Sequence, residues 1–391
     1  MTRLPETDWT RREDLAQLVA ALGEGQVRWV GGAVRDTLLG HAVEDIDAAT
    51  LLEPAEVMAR LKASGIRTVP TGIEHGTVTA LLPGGHVEIT TLRHDVSTDG
   101  RRATVAFASE WQDDAARRDF TINALYADPV TREVFDWFGG LDHLAQRTVC
   151  FIGDARQRIR EDHLRILRYF RFQARFGSAL DAEAEAACTE LAPTLKGLSR
   201  ERVAMELLKL LALPDPAATV ARMETLGVLP VVLPEAGGAG VERLKALVAE
   251  EARQNVAPDA LRRMAALLPA DPKQADGAAA RLRLSTAQRK RLGTAAGRQS
   301  GEARALAYRL GRESALDLLL LAGNDIAPLA GWEIPTFPLK GGEIVARGVG
   351  AGPQVAKVLQ AVERRWISEQ FPPRERVEEL LTEELGGTPE S

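Results

Sequence analysis

Residues 27–47 combine an apolar run, two glycines, a helical segment and two aspartates in one fixed order. The run Val27–Val30 is typical of a short buried strand, and Gly31 and Gly32 follow it directly. Asp45 and Asp47 then flank a single apolar residue. Because side chains of a strand alternate between its two faces, both carboxylates are expected on the same face.

Two carboxylates this close repel each other unless a cation lies between them. A divalent ion is the natural partner, and hard oxygen ligands suit Mg²⁺. Glycines just before a helix allow backbone N–H groups to approach a phosphate. Either motif alone is weak, but the two together predict phosphoryl or nucleotidyl transfer.

Composition limits the class of protein. The chain has 391 residues, enough for two or three domains, and its net charge of −6 argues against indiscriminate nucleic-acid binding. Its first residues are too polar for a signal peptide, and it lacks an apolar run of membrane-spanning length. Two cysteines, Cys150 and Cys188, make no disulfide framework, so we expect a cytoplasmic protein with no membrane association. Nothing implies a protein partner.

Positive charge is concentrated between residues 156 and 176. The acids of this segment are Glu161 and Asp162. Its seven arginines are Arg156, Arg158, Arg160, Arg165, Arg168, Arg171 and Arg175. A local excess of this size on one helical segment suits a polyphosphate or an RNA backbone. A solvated helix face would explain the arginines but not the absence of acids after Asp162.

Strand and helix patterns alternate up to about residue 150. A helix is predicted over 54–64 and a hairpin over 77–92, with residues 93–117 read partly as a mobile loop. From about Asp154 helical periodicity dominates to the end of the chain. The sequence therefore predicts an α+β fold in which a mixed sheet with helices precedes an all-helical C-terminal region.

Five segments resemble class II tRNA nucleotidyltransferases and bacterial poly(A) polymerases, which belong to the DNA polymerase beta-like superfamily. In chain order they are GGAVRD with EDID, VEITTLR (87–93), RRDFTINAL (117–125), EDHLRILRYFRF (161–172) and LSRERVAMEL (198–207). The resemblance covers roughly residues 26–210. It implies a catalytic nucleotidyltransferase head over 1–150, a helical neck with a base-templating motif over 151–212, and a tRNA-binding helical body and tail over 213–391.

The resemblance also implies the site residues. The proposed catalytic and metal-binding carboxylates are Asp45, Asp47 and Glu88, which would hold Mg²⁺. The proposed nucleotide-binding residues are Gly31, Gly32, Arg35, Arg117, Arg118, Asp119, Asn123, Asp162, Arg165 and Arg168. In the strand pattern, Glu88 alternates with apolar Val87 and Ile89, so it is expected on the opposite face from them.

Two pairs have implied roles in selecting the nucleotide. The motif Arg117-Arg118-Asp119 senses the ribose 2′-hydroxyl, and Asn123, four residues after Asp119 on the same helical face, braces it. A surface cluster of opposite charges is the alternative interpretation of that motif. Asp162 and Arg165 are three residues apart and so share a helix face, where they address the acceptor and donor groups of C or A. Arg168 supports their geometry. The spacing of Asp162 and Arg165 would equally suit an ordinary ion pair within a helix.

The implied activity is addition of C, C and A to the 3′ end of tRNA from CTP and ATP. A poly(A) polymerase shares every motif, although the segment EHGTV (74–78) favours the CCA-adding form. An enzyme adding only CC or only A is a second alternative; residues 93–116 are long enough for the flexible loop that CC-adding enzymes tend to lack. A non-catalytic RNA-binding protein is disfavoured because the three carboxylates and both templating residues are present.

Overall fold

The computed structural model describes residues 2–98, 103–177 and 179–386. The chain forms two compact units, Met1–Pro234 and Glu235–Ser391. The division falls inside a proline- and glycine-containing stretch, where neither regular helix nor strand is favoured. The finer boundaries at 150/151 and 212/213 stay predictions.

Within the described residues, seven of the nine strands form one mixed sheet in the order β3-β4-β5-β2-β1-β8-β9. The strands are β1 Val27–Val30, β2 Ile46–Thr50, β3 Arg67–Gly72, β4 Thr77–Leu82, β5 Gly85–Thr91, β6 Arg93–Thr98, β7 Ala103–Phe107, β8 Tyr126–Ala127 and β9 Val134–Phe135. Strands β2 and β5 are parallel, and every other neighbouring pair is antiparallel. The predicted hairpin over 77–92 is therefore confirmed as β4 and β5.

We predicted part of segment 93–117 to be a mobile loop, and most of its described residues instead form regular structure. Strands β6 and β7 form a separate two-stranded ribbon, and a helix follows them. β-Branched and aromatic residues such as Thr104, Val105 and Phe107 favour extended backbone, although the segment is polar overall. Residues 99–102 lie outside the described residues.

In the part of the chain that the structure describes, five helices accompany the sheet. They are α1 Glu13–Leu22, α2 Gly32–Leu38, α3 Pro54–Ala63, α4 Trp111–Ala116 and α5 Gly140–Ala145. Helix α1 buries Leu15, Leu18 and Leu22, which recur at helical spacing, and Gly23 ends it with a positive φ of 101°. Trp9 packs edge-on against Trp29 of β1, with ring centroids 5.8 Å apart.

The remainder of the first unit is helical. Its helices are α6 Ala155–Glu161, α7 Arg165–Phe176, α8 Ala182–Leu191, α9 Arg200–Leu211, α10 Ala217–Thr225 and α11 Leu229–Val232. Asp154, Asp181 and Ser199 cap α6, α8 and α9 by accepting backbone N–H groups. The arginine-rich segment 156–176 is thus two helices with a break at 162–164, not the single helix we expected.

The second unit is also helical in its described part. Its helices are α12 Gly238–Arg253, α13 Ala260–Leu267, α14 Pro272–Arg281, α15 Thr286–Ala296, α16 Ala303–Leu310, α17 Arg312–Leu321, α18 Gly341–Ala346, α19 Pro353–Ser368 and α20 Arg374–Gly386. Buried Glu251 binds Arg262 and Arg263, which compensates charges that burial alone would penalise. The predicted α+β fold with an all-helical C-terminal region is confirmed.

Among the described helices, none combines the length and the apolar character needed to cross a bilayer.

The register of the sheet aligns five residues in one row, one on each of the strands β5, β2, β1, β8 and β9. Asp47 lies opposite Glu88 on β5 and opposite Val30 on β1, Val30 lies opposite Tyr126, and Tyr126 lies opposite Phe135. Directly paired residues project from the same face of a sheet. The two carboxylates and the two aromatic residues therefore share one face, which we call the carboxylate face.

Candidate active site

The carboxylate face brings together two of the three predicted metal-binding residues. Asp47 and Glu88 are direct neighbours on parallel strands, while Val87 and Ile89 are buried on the other face, as the alternation predicted. Asp45 lies one residue before β2, and its Oδ1 is 4.0 Å from Nε2 of His86. We expected Asp45 and Asp47 on the same face because strand residues alternate with a period of two. That argument does not apply to Asp45, because β2 begins at Ile46, between the two aspartates.

The negative charges of Asp45, Asp47 and Glu88 are only partly compensated by neighbouring positive charge. Burial, then the Glu88 carboxylate, raises the pKa of Asp47 above its usual range; Asp45 adds to the rise and Arg118 opposes it. In the part of the chain that the structure describes, no three His, Cys, Asp or Glu side chains form a closed metal-binding cluster. Repulsion between like charges opposes such closure in the absence of a cation.

A polar cavity of about 390 Å³ opens beside these carboxylates. Among the predicted residues it is lined by Gly31, Gly32, Arg35, Asp45, Asp47, Arg118, Asp119, Asn123 and Arg168. The lining therefore combines aspartates with arginines from three separate segments of the chain. Such a charge distribution can accommodate a polyanion together with cations.

The glycine pair joins β1 to α2. Gly31 has φ 68° and ψ −120°, a conformation that is essentially restricted to glycine. Its N–H donates to the carbonyl of Leu125 at 3.1 Å, so this amide is already bonded within the protein. Backbone donors for a phosphate would thus begin at Gly32, the first residue of the helix.

Arg35 is buried, not a surface residue. Its Nε and Nη2 donate to the two carboxylate oxygens of Asp36 at 2.9 and 3.0 Å, and its Nη1 donates to Oδ1 of Asn123 at 2.5 Å. Burial lowers the pKa of Arg35, and the Asp36 carboxylate opposes that shift. The guanidinium is therefore held in one orientation at the cavity wall.

The predicted ribose-sensing residues are tightly connected. Oδ1 of Asp119 accepts from Nδ2 of Asn123 at 3.0 Å, and Oδ2 accepts from Nε of Arg168 at 2.7 Å. Burial alone would raise the pKa of Asp119, but the Arg168 charge and these hydrogen bonds lower it. Asn123 braces Asp119 as expected, although it does so from a short 3₁₀ turn and not from an α-helix.

Arg117 and Arg118 share a partner that the motifs did not identify. Both donate to Asp114, at 2.6 and 3.2 Å, and Tyr126 Oη donates to the same carboxylate at 2.5 Å. Burial raises the pKa of Asp114, but the two arginines outweigh it and leave the pKa at about 2. Arg118 lines the cavity, whereas Arg117 does not.

The proposed templating pair lies outside the cavity lining, and our expectation of a shared helix face was wrong. Asp162 follows the end of α6 in extended backbone (φ −150°), and Arg165 begins α7. Oδ2 of Asp162 accepts from Nη2 of Arg202 at 2.7 Å. Arg165 instead donates to Glu161 at 2.6 Å. A helix break between the two residues separates the side chains despite their spacing of three.

Sequence reasoning missed several residues of the cavity wall. Besides the predicted residues, the lining includes Asp36, Ala42, Glu44, Arg171, Phe172 and Arg175. Arg175 donates to Asp36 at 3.1 Å, and Arg171 donates to Glu206 at 2.7 Å. The spacing of arginines by three or four residues along α7 was a usable signal, because it places them on one side of the helix.

Two family models match the chain. One, described as the poly A polymerase head domain, matches residues 27–150. The other, described as a probable RNA and SrmB-binding site of polymerase A, matches residues 178–237. Both fall within the first compact unit, apart from the last residues of the second match.

Curated relatives agree with these matches. The chain is 46% identical over 190 residues to the human mitochondrial CCA tRNA nucleotidyltransferase 1, covering 48% of this chain and 44% of that protein. It is 38% identical over 201 residues to the CCA-adding enzyme of Geobacillus kaustophilus, covering 51% and 48%. The matched part of the chain thus spans about half the length of these relatives.

Solved structures resemble the chain over nearly its whole length. The Bacillus stearothermophilus CCA-adding enzyme in complex with CTP has a TM-score of 0.76 and 26% identity, with 96% of this chain and 98% of that chain covered. The Thermotoga maritima CCA-adding enzyme complexed with tRNA has a TM-score of 0.71 and 20% identity, with 99% of each chain covered. The second likeness concerns the fold alone.

Proposed function

Because the chain belongs to the family of class II tRNA nucleotidyltransferases and bacterial poly(A) polymerases, we propose that it adds C, C and A to the 3′ end of tRNA. CTP and ATP are the proposed donors, pyrophosphate is the leaving group, and no nucleic-acid template is used. The observation that carries the proposal is that Asp47, Arg35, Arg118 and Arg168 line the same cavity. In such a cavity the acidic groups can bind metal ions while the basic groups bind the triphosphate that the metal ions contact.

Mg²⁺ is the proposed cofactor, with Asp45, Asp47 and Glu88 as its ligands. The donor set fits, because carboxylate oxygens are preferred by hard cations. Burial and the neighbouring carboxylates raise the pKa of Asp47, because they disfavour its ionised form. A bound cation would offset this penalty. When bound, divalent ions activate the attacking hydroxyl and neutralise the leaving pyrophosphate.

The remaining residues would bind and orient the nucleotide. We assign the triphosphate to the Gly31-Gly32 turn, Arg35 and Arg118, since guanidinium groups bind phosphate oxygens through paired N–H donors. We assign the ribose to Asp119, braced by Asn123, and assign Arg117 to holding Arg118 through their shared partner Asp114. A site that bonds a hydroxyl discriminates strongly against a nucleotide that lacks it.

Base selection is assigned to Asp162 and Arg165, with Arg168 beside them. Both members of the pair are engaged elsewhere, Asp162 with Arg202 and Arg165 with Glu161. Their use in templating therefore requires exchange of these partners for the base. Such exchange is inexpensive at Asp162, whose ion pair is about one-third exposed, because partly exposed ion pairs contribute little net stability.

Several observations favour CCA addition over poly(A) synthesis. The EHGTV segment has the CCA-adding form, and the relatives described above are named for CCA addition.

A cytoplasmic location is our proposal for the compartment. The two cysteines, Cys150 and Cys188, are free thiols, consistent with reducing conditions.

The decisive experiment is incorporation of labelled CTP and ATP, separately and together, into tRNAs that end before CCA, after C and after CC. Two C additions with CTP alone, followed by one A when ATP is supplied, would support the proposal. A long A tail would identify a poly(A) polymerase. C without A, or A only after CC, would identify a partial enzyme.

A further inference from the structure

Two arginines of the second unit bind the C-terminal end of α13. Nε and Nη2 of Arg243, on α12, donate to the carbonyl oxygens of Ala266 and Leu268 at 2.9 and 3.0 Å. Nη2 of Arg298, which follows α15, donates to the carbonyl oxygen of Ala265 at 2.5 Å. Because Ala265 and Ala266 are consecutive residues in the last turn of α13, these bonds bring the two guanidinium groups close together. We call Arg243 and Arg298 the arginine pair.

No carboxylate compensates the arginine pair within the described residues. Neither arginine forms an ion pair there, and the acid next to Arg243 in the chain, Glu242, pairs with Lys245 at 3.0 Å instead. Burial, and then the neighbouring charge of Arg243, lower the pKa of Arg298 to about 10. Like charges that are held together without a counterion favour the binding of an ion of opposite charge.

Capping of α13 is the structural role of the arginine pair, and it leaves charge unused. Arg298 also donates from Nη1 to the carbonyl oxygen of Ala295 at 2.7 Å, so the pair caps the ends of both α13 and α15. Each helix C-terminus carries roughly −0.5 elementary charge. The two helix ends therefore compensate only about half of the positive charge of the pair.

Donor groups of the pair are also unused. In the described part of the chain, Nη1 of Arg243 and Nε of Arg298 donate no hydrogen bond, and Nε of Arg298 is not enclosed in the protein. Arg243 is exposed to solvent. Because the carbonyl bonds already hold both guanidinium groups, little side-chain entropy remains to be lost when a ligand binds. Guanidinium groups with free N–H donors suit the oxygens of a phosphate.

We propose that the arginine pair binds one backbone phosphate of the tRNA. This proposal rests on the proposed function for its substrate. The incoming nucleotide is not the ligand, because the residues proposed to bind it belong to the first unit and the arginine pair does not line their cavity. Phosphate contacts carry no sequence information, so the pair contributes equally to the binding of tRNAs with different 3′ ends.

The test compares full-length wild type with Arg243→Gln, Arg298→Gln and the double variant. Gln retains an N–H donor for the helix carbonyls but removes the charge. The control is Arg253→Gln, which makes the same change on the same helix, at an exposed arginine that pairs with Glu250 at 2.5 Å. Binding of tRNAs that end before CCA and after CC is measured without nucleotide across a salt series. Thermal unfolding, and KM for CTP at saturating tRNA, are measured alongside.

The double variant should bind both tRNAs several-fold more weakly than wild type. Its slope of log K against log salt should be smaller in magnitude by about one, because one phosphate contact and its released counterions are lost. Each single variant should show most of this loss, since adjacent groups on one ligand act as a unit. Arg253→Gln should keep the wild-type slope, and KM for CTP should stay unchanged in every variant.

Four outcomes would overturn the proposal. A folded double variant with the wild-type slope and affinity would leave capping as the role of the pair. A slope that is smaller by about two would assign the arginines to separate phosphates. An equal loss in Arg253→Gln would attribute the effect to net charge. Stabilisation of wild type, but not of the double variant, by inorganic phosphate at constant ionic strength, with unchanged tRNA binding, would identify a site for a free anion.

The test also remains decisive if one variant fails to fold. If Arg298→Gln and the double variant do not fold, Arg243→Gln decides by the same criteria, because substitution of an exposed side chain costs less stability. Failure of the two proposals is distinguishable. Wild type that binds tRNA but adds no nucleotide would refute CCA addition and leave the binding test intact. Wild type that adds CCA while the double variant binds tRNA normally would refute the role of the arginine pair alone.

Discussion

Asp119 and Arg168 are 49 positions apart in the chain and join the sheet-bearing part of the first unit to α7, with Nε of Arg168 donating to Oδ2 of Asp119 at 2.7 Å. The carboxylate is buried, and the arginine is its cationic partner. The contact therefore makes the conformation of a proposed nucleotide-binding residue depend on a helix far away in sequence.

Replacement of Arg168 by Met should lower the free energy of unfolding by about 1–3 kcal/mol, because it leaves a buried carboxylate with an unsatisfied oxygen. Urea denaturation measures the change. Arg160→Met is the matched control, since Arg160 is mostly exposed and its nearest acid, Glu190, is 3.9 Å away. Equal loss in both variants would contradict a special role for the Asp119 contact.

Asp47→Asn should separate activity from stability. Nucleotide addition should fall by more than about 100-fold, since Asp47 is a proposed direct metal ligand and such a ligand matters at least as much as outer-shell groups. Stability at neutral pH should be unchanged or higher, because burial and Glu88 raise the pKa of Asp47 and so penalise its ionised form. Single-turnover assays and thermal unfolding test this, with exposed Glu53→Gln as control. Loss of both properties would contradict the electrostatic interpretation.

Asp114 should contribute to the acid sensitivity of the fold. Its pKa is lowered from 3.8 to about 2, so its stabilising effect is fully present above 3.8 and is lost as pH falls through about 2. A shift of this size corresponds to about 2 kcal/mol. Denaturation of Asp114→Asn and wild type should differ most near neutral pH and converge between about pH 5 and pH 2.

The control for that experiment is Asp113→Asn, because Asp113 neighbours Asp114 but is exposed. It should follow the wild-type pH profile. A difference between wild type and Asp114→Asn that persists undiminished at the acid end would assign the loss to packing and not to the charge of Asp114.

Gly31→Ala should destabilise the protein by about 1–3 kcal/mol, since its positive φ and its ψ of −120° are strained for any residue with a Cβ. Gly32→Ala is a closely matched control: its added Cβ would meet only Nη2 of Arg35, at an ordinary 3.8 Å. Chemical denaturation of the two variants tests the difference. Equal stability would show that the turn relaxes without cost.

Asp162→Ala should alter base choice more than nucleotide binding, if Asp162 is a templating residue. The ratio of kcat/KM for CTP and ATP on each tRNA end is the measurement. Arg202→Met removes the same ion pair but retains the carboxylate, so it should preserve selectivity. Unchanged selectivity in Asp162→Ala would remove this residue from the templating proposal.

Local patterns predicted most of the elements around the site. The alternation of Val87, Glu88 and Ile89 correctly assigned their faces, and the apolar spacing of α1 marked its buried side. The same local patterns gave the wrong secondary structure in two segments. The polar segment 93–117 contains a β-ribbon and a helix, and the residues between Glu161 and Arg165 break a pattern that reads as continuous helix.

The sequence by itself determined the fold class, the family motifs and the identities of the candidate site residues, because strand and helix periodicities and short motifs are local properties of a chain. Only the tertiary structure decided which of these residues meet. Asp47 lies beside Glu88 on the neighbouring strand and Asp119 binds Arg168, each through contacts between residues distant in sequence. Such contacts depend on strand register and helix packing, which many residues fix jointly and no single motif encodes.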